Sequence, residues 1–159
     1  MKYYHRSLCK SLKFIHASSE KAVRTAIQPR IPECSEGEDQ ETLRVCIAPT
    51  VWQCLLTKSA IGEETLHIYE INVERATEPK GPPVDFAETD EKWLTDDDIN
   101  ECGGRIEMRN RGFIKYNGEL EDKLRELKKQ NKLPRSPAAE DSIWKNHNGE
   151  WSLALNSWL

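Results

Sequence analysis

The most regular alternation of side chains along the chain falls in the segment ETLHIYEINV. Leu66 and Ile68 lie on one side of a strand drawn through it, and Tyr69 and Ile71 lie on the other, so both sides are largely apolar. A strand that is apolar on both sides is covered on both sides and lies inside a sheet. We therefore predict a central strand over residues 66–72.

A second central strand is predicted over 44–48 (RVCIA), and it stops at Pro49. Thr50 follows as the natural N-cap of a short helix, TVWQCLLTK, because its hydroxyl can accept a hydrogen bond from the first helical turn. Shorter strands are predicted at KYYH, at EKWLT and within GRIEMRNRGFIKY, the last with a turn at residues 110–112. Together these elements predict an α+β protein.

Two further segments show helical periodicity. In GELEDKLRELKKQNKL, Leu120, Leu124 and Leu127 form one stripe, acidic residues lead and basic residues trail, which predicts a helix over 119–132. In SSEKAVRTAIQPR, small apolar residues form a single stripe behind a serine cap, and a proline ends it. We therefore predict a helix in this segment as well.

The predicted organisation is one α+β domain over residues 1–133. Residues 134–142 (PRSPAAEDS) have the composition of a linker. Residues 143–159 are predicted to form a C-terminal hairpin and tail, because Asn148-Gly149 is a strong signal for a two-residue hairpin turn.

The amino-acid composition argues against several classes of protein, including metal-binding and membrane proteins. The apolar fraction is 37% and the charged fraction is 31%, which predicts a small core under a charged surface. The five cysteines contain no CxxC pair and the four histidines form no metal-binding motif, so we expect reduced thiols, no metal and a cytoplasmic location. No run of about 18 apolar residues occurs, so no membrane contact is expected.

Charge is unevenly distributed along the chain. Residues 1–30 carry seven Lys or Arg and one Glu, a net charge of +6, whereas residues 85–107 carry nine Asp or Glu and two basic residues, a net charge of −7. The basic part suits an anionic ligand, and the acidic part suits a basic protein partner. Because the whole chain has a net charge of −4, direct nucleic-acid binding is not expected.

The order of these parts resembles the ADP-ribosyltransferase fold. The first strand carries His5-Arg6, RVCIAPTVWQCLL places Ala-Pro-Thr at a strand–helix junction, the apolar strand LHIYEI follows, and ETDEKWL closes a long loop. The layout also looks like that of small bacterial and phage proteins. The resemblance implies an ADP-ribosyltransferase-like mixed sheet with flanking helices and a C-terminal hairpin appendage, with NAD as the substrate.

The resemblance implies roles for five residues. His5 or Arg6 would grip the ribose or the nicotinamide amide, Thr50 would line the pocket, and Tyr69 would flank the nicotinamide. Glu91 would stabilise the oxocarbenium ion that forms as nicotinamide leaves, a step that needs electrostatic stabilisation rather than a metal. The implied function is transfer of ADP-ribose to a host macromolecule, or NAD binding without turnover.

Two alternatives stay open from the sequence. Glu88 lies three residues before Glu91, so either carboxylate is a candidate. The second function is a non-catalytic inhibitor, of the kind that phages encode, which covers a basic nucleic-acid-binding surface of a host defence protein with its acidic segment 85–101. In that hypothesis three acidic residues and two tryptophans contact the partner: Asp96, Asp97, Asp98, Trp144 and Trp151.

Overall fold

The computed structural model of the protein describes residues 1–32, 39–80 and 89–154. Helices and strands are both present and most strand pairs are antiparallel, which agrees with the α+β class predicted from the sequence. The elements in chain order are β1 (Lys2–Ser7), β2 (Phe14–His16), β3 (Ala26–Ile27), β4 (Val45–Ile47), α1 (Val51–Leu55), β5 (Glu64–Asn72), β6 (Lys92–Leu94), α2 (Asp96–Glu101), β7 (Arg105–Glu107), β8 (Arg109–Tyr116), α3 (Gly118–Lys129), α4 (Pro137–Glu140), β9 (Trp144–His147) and β10 (Glu150–Leu153).

The main sheet of the described chain has five strands in the order β1-β5-β8-β10-β9. β5 lies between β1 and β8 and is antiparallel to both, so the prediction of a central strand at 66–72 is confirmed. Two smaller sheets, β3-β2-β7 and β4-β6, lie beside it. The prediction of a central strand at 44–48 is wrong, because β4 pairs with β6 in the two-stranded sheet and meets β1 only at the bridge between Ala48 and Tyr4.

Each face of the main sheet covers a hydrophobic core. On one face, Tyr69 and Ile71 pack with the three-stranded sheet and with Ile99 of α2. On the other face, Leu66 and Ile68 pack with α1 and α3. The predicted helix at 119–132 is confirmed as α3, which Asn117 caps. Burial on both faces fixes which side chains of β5 point into each core.

Helix α1 begins at Thr50, whose side chain accepts a hydrogen bond from the third helical residue as predicted. Its first two backbone N–H groups are satisfied from elsewhere in the chain: Val51 donates to Glu140 Oε1 and Trp52 to Glu140 Oε2, both at 2.8 Å. Glu140 belongs to α4, within the segment 134–142 that was expected as a linker, and it is buried. This segment therefore ties the C-terminal hairpin to α1.

The C-terminal hairpin turns at Asn148-Gly149, as predicted, with both residues at positive φ (51° and 87°). Strand β10 pairs with β8, so the hairpin extends the main sheet. The predicted turn at residues 110–112 is wrong, because these residues lie within β8 at a register shift against β5. Gly112 is needed there, since a Cβ at this position would lie 2.2 Å from the carbonyl oxygen of Gly149.

The predicted helix in SSEKAVRTAIQPR is also wrong. The segment forms turns and the two-residue strand β3, which runs parallel to β2. Its apolar stripe has four residues, two of them alanines, and Val23 is 44% exposed, so a helix here would bury little surface. The backbone of β2 offers hydrogen-bond partners instead, because Phe14 N–H donates to the carbonyl of Thr25.

Candidate functional site

A cleft of about 1290 Å³ opens along the outer edge of β1, the edge that faces away from β5. Its walls come from β1, from β4, from the residues ahead of β6 and from the C-terminal end of α1. Three of the predicted site residues, His5, Arg6 and Glu91, line this cleft. The structure thus brings Glu91 beside the first strand, although the two are far apart in the sequence.

The cleft exists because the pairing of β1 with β4 stops after one bridge. Tyr4 and Ala48 exchange two backbone hydrogen bonds, at 2.7 and 3.0 Å. The next pair of an antiparallel ladder would join Arg6 to Cys46. That pair is not formed, and the two strands part at this point to give the cleft.

The His5 side chain forms a hydrogen bond with β4 at the point where β4 separates from β1. Its Nδ1 lies 2.9 Å from the backbone carbonyl oxygen of Cys46, and since a carbonyl only accepts, Nδ1 is the donor. Burial lowers the pKa of His5 to about 4, so the imidazole is neutral at pH 7. With the proton on Nδ1, Nε2 is left as a hydrogen-bond acceptor.

The side chain and the backbone of Arg6 have different roles in the cleft. Its Nε donates to the carbonyl oxygen of Cys54 at 2.6 Å, and its guanidinium also bonds Thr57 Oγ1, so the side chain ties β1 to the end of α1. Backbone groups alternate in direction along an antiparallel strand, so Arg6 points its N–H and C=O outward as Tyr4 does. These two groups bond no residue that the structure describes, and they face the cleft.

Glu91 is held by the strand that follows it. Its Oε2 accepts a hydrogen bond from Trp93 Nε1 at 2.9 Å, and its backbone N–H donates to Thr89 Oγ1. The guanidinium of Arg44 lies over the Trp93 ring, 4.1 Å from its centre, and Arg44 is only 3% exposed. One tryptophan therefore positions both an acidic and a basic group at the wall of the cleft.

Cys46 lies between these two charged groups, and its thiol interacts with both Arg44 and Glu91. Burial, and next the charge of Glu91, raise the pKa of Cys46 to about 12, so the thiol is protonated at neutral pH. A cysteine nucleophile must be a thiolate, so this residue is not suited to covalent catalysis.

Thr50 does not line the cleft as the resemblance implied. It is fully buried, and its hydroxyl donates to Gln53 Oε1 at 2.6 Å. Gln53 lies in the cleft wall instead, and its Nε2 donates to Asp90 Oδ2 at 2.8 Å, next to Glu91. The resemblance does not point to Gln53. Its sequence signal is Thr-x-x-Gln, the spacing of a capping box, which marks a side chain engaged at a helix N-terminus.

Tyr69 lies outside the cleft. Its ring is buried in the core between the main sheet and the three-stranded sheet, and its hydroxyl donates to the carbonyl of Cys9 at 2.6 Å and accepts from Leu12 N–H. It therefore packs the fold rather than flanking a ligand in this cleft. Glu88, the other candidate carboxylate, lies outside the described residues.

The acidic residues of the inhibitor hypothesis are largely engaged within the protein. Asp98 is buried and accepts hydrogen bonds from Thr77 Oγ1 and from the backbone N–H of Thr95, the N-cap residue of α2. Asp96 Oδ1 accepts from the backbone N–H of Ser18 at 2.7 Å, while Asp97 is exposed. Residues 85–88 of the acidic segment lie outside the described part of the chain.

The two tryptophans of that hypothesis pack on each other. Trp144 is buried and meets Trp151 edge-on, with ring centres 6.2 Å apart. Trp151 Nε1 donates to the carbonyl of Arg111 at 2.9 Å. Both rings thus fix the C-terminal hairpin to the main sheet.

Comparisons with known proteins assign no relative to this chain. No protein-family model matches it, and neither a curated protein nor a solved structure does so. Among residues 1–32, 39–80 and 89–154, no group of three or more His, Cys, Asp or Glu side chains is arranged to hold a metal. Within the same residues, no helix has the length and apolar character needed to cross a bilayer.

Proposed function

We propose that the cleft beside β1 binds NAD and that the protein is an ADP-ribosyltransferase-like enzyme. The observation that supports this most strongly is the open edge of β1 at Arg6. There, one backbone N–H donor and one C=O acceptor point side by side into the cleft. A primary carboxamide such as that of nicotinamide offers the complementary acceptor and donor.

The neighbours of this edge suit the rest of the ligand. His5 Nε2 is an acceptor within the same cleft and matches a ribose hydroxyl. Arg30 and Lys80 also line the cleft, and neither forms an ion pair with a residue that the structure describes. Two available cations suit a pyrophosphate, whose charge-assisted contacts are among the stronger polar contacts in proteins.

Glu91 supplies the charge that the reaction needs. The bond between the ribose C1′ and the nicotinamide nitrogen breaks, its electron pair leaves with nicotinamide, and a cationic oxocarbenium sugar remains. A carboxylate aimed at this developing charge lowers the barrier because it is already oriented. The indole N–H of Trp93 provides that orientation. An acceptor nucleophile then bonds C1′ and releases a proton.

This function is tested by calorimetric titration with NAD together with chromatographic detection of free nicotinamide. We expect binding of NAD and slow release of nicotinamide, and weaker binding in the double variant Arg30→Ala/Lys80→Ala. The matched control is Lys129→Ala, an exposed lysine of α3 that does not line the cleft. A parent protein that neither binds nor cleaves NAD at about millimolar concentration, the upper end of ordinary KM values, rules the proposal out.

A further inference from the structure

Part of one face of the main sheet is left open to solvent. Two rows of side chains run across it, because residues paired across neighbouring strands point to the same side. The first row crosses all five strands and is half-buried or exposed, and the second is exposed. The first row contains Ser7, His67, Phe113, Glu150 and His147, and the second contains Thr65, Lys115, Ser152 and Lys145.

The open face has a defined boundary. The chain after β1 crosses the sheet at Tyr69, where the Tyr69 hydroxyl donates to the carbonyl of Cys9 and Asn110 Nδ2 donates to the carbonyl of Lys10. Beyond this crossing the same face is covered by the three-stranded sheet. The two rows lie on the uncovered side of the boundary, and Lys10 lies at the crossing itself.

Two aromatic rings lie at the centre of the first row. His67 and Phe113 are cross-strand neighbours, with ring centres 6.3 Å apart and planes inclined by 53°. Both are half-buried in the sheet and present part of a ring to solvent. Burial, and next the charge of Lys10, lower the pKa of His67. The backbone of Lys10 is held at this end of the open face by the hydrogen bond from Asn110 Nδ2. A flat ring exposed on a sheet is a surface on which a nucleobase stacks.

The charge around the rings is positive. Lys10, Lys115 and Lys145 are exposed and form no ion pair with any residue in the described ranges, and Glu150 is the single acidic residue of the two rows. The rows contain no aliphatic side chain, whereas a protein–protein interface needs an apolar core. Lysines beside exposed rings are instead the pattern that binds a single-stranded sugar–phosphate backbone and its bases.

We propose that this open sheet face binds single-stranded nucleic acid, with His67 and Phe113 stacking on bases and the three lysines contacting phosphates. The acidic balance of the whole chain predicted no such binding, but the surface that matters is locally basic. The site does not depend on NAD binding, because the cleft lies beyond the outer edge of β1 and shares only Ser7 with the two rows.

The test is fluorescence anisotropy with a labelled single-stranded oligonucleotide of about 12 nucleotides, within the site sizes known for single-strand binders. We expect the full-length protein to bind it with a Kd of about 1–100 μM at low salt. With three phosphate contacts, the slope of log K against log salt should be about −2 for a single strand. A duplex of the same sequence should bind at least about fivefold more weakly, because its bases are not free to stack.

Four variants distinguish binding at this sheet face from non-specific electrostatic attraction to the protein. Phe113→Leu keeps apolar packing but removes the flat ring, and should weaken binding about fivefold or more, while Phe113→Trp should keep it. Lys115→Glu/Lys145→Glu should weaken binding at least about tenfold and flatten the salt slope. Lys129→Glu, an exposed lysine on α3, should have no such effect. Thermal unfolding of each variant shows that the fold is retained.

Three results overturn the proposal. One is no binding of the single strand at low salt, and a second is equal binding of the single strand and the duplex. The third is that both Phe113→Leu and Lys115→Glu/Lys145→Glu unfold like the parent protein and bind the single strand as tightly as it does. Because NAD is absent from all of these assays, they remain decisive whether or not the cleft binds NAD.

Discussion

The Nδ1–H of His5 donates a hydrogen bond to the backbone carbonyl of Cys46 across 2.9 Å. This contact takes the place of the next backbone pair between β1 and β4, which would have closed the outer edge of β1. As a result, the N–H and C=O of Arg6 stay available in the cleft. A side chain that replaces a backbone pair thus creates the groups on which the proposed function depends.

The His5 contact should make stability depend on pH. The pKa of His5 is about 4 in the folded protein against 6.5 normally, so the unfolded chain binds more protons between these values. The free energy of unfolding should therefore fall as the pH drops from about 7 to about 4. His5→Gln keeps a donor for Cys46 without titrating, and should reduce this fall by on the order of 2 kcal/mol.

Urea unfolding of the parent protein and of His5→Gln at several pH values measures this effect. His147→Gln is the matched control, because His147 is an exposed histidine in β9. The account predicts that His147→Gln retains the pH dependence of the parent protein. Parallel pH curves for the parent protein and His5→Gln would show that His5 is not the group responsible.

Glu91→Gln should spare NAD binding and reduce turnover. The substitution keeps the shape of the side chain and removes its charge, so it deletes an interaction made mainly in the transition state. We expect nicotinamide release to fall by about 10²–10³, by analogy with the loss of one oxyanion donor. The control is Glu74→Gln, an exposed glutamate outside the cleft. If Glu88→Gln loses turnover and Glu91→Gln does not, the catalytic carboxylate is Glu88.

Gln53 should act by positioning the segment that contains Glu91. Gln53→Leu removes the hydrogen bonds to Thr50 and to Asp90, so the segment at 89–91 should lose its fixed position. We expect kcat to fall about tenfold with little change in KM, as in other cases where a reacting group is misplaced.

A spectroscopic signal distinguishes positioning by Gln53 from a loss of stability. The Trp93 indole N–H donates to Glu91, so its NMR resonance should shift in Gln53→Leu even without NAD. Gln130→Leu, at an exposed position at the end of α3, should leave that resonance unchanged. An unshifted Trp93 resonance in Gln53→Leu would mean that Glu91 is held by other contacts.

Gly112→Ala should strongly destabilise the C-terminal hairpin. A Cβ at this residue would lie 2.2 Å from the Gly149 carbonyl oxygen, and its φ of 129° is unfavourable for any other residue. We expect a loss of more than about 2 kcal/mol in unfolding free energy. Gly118→Ala is the matched control, because a Cβ there has nothing within 4 Å, and it should stabilise slightly or have no effect. Similar stabilities for both variants in urea unfolding would contradict the close contact.

Local signals in the sequence were sufficient where one element determines its own structure. The alternation around Ile68, the Thr50 cap and the Asn148-Gly149 turn each depend on neighbouring residues, and the structure contains all three. The predicted helix in SSEKAVRTAIQPR failed because its short apolar stripe competes with strand pairing to β2, which lies outside the segment.

The candidate site depends on relations that local patterns do not contain. The cleft forms where β1 and β4 part, and whether two strands continue to pair is decided by distant contacts such as that of His5 with Cys46. The resemblance implies that Tyr69 flanks the nicotinamide, but the alternation of side chains along β5 places its ring in the core under the three-stranded sheet. The resemblance implies that Thr50 lines the pocket. Gln53, about one helical turn later, lines the cleft instead.

The most direct measurement of the central claim is an NMR titration of the ¹⁵N-labelled protein with NAD. We expect saturable shifts of the Arg6 backbone amide and of the Gln53 side-chain amide, while the amide of Val23, an exposed residue outside the cleft, stays unchanged. Nicotinamide alone should shift Arg6 in the same direction, because the carboxamide is the proposed contact. An Arg6 amide that does not move at saturating NAD would contradict the account.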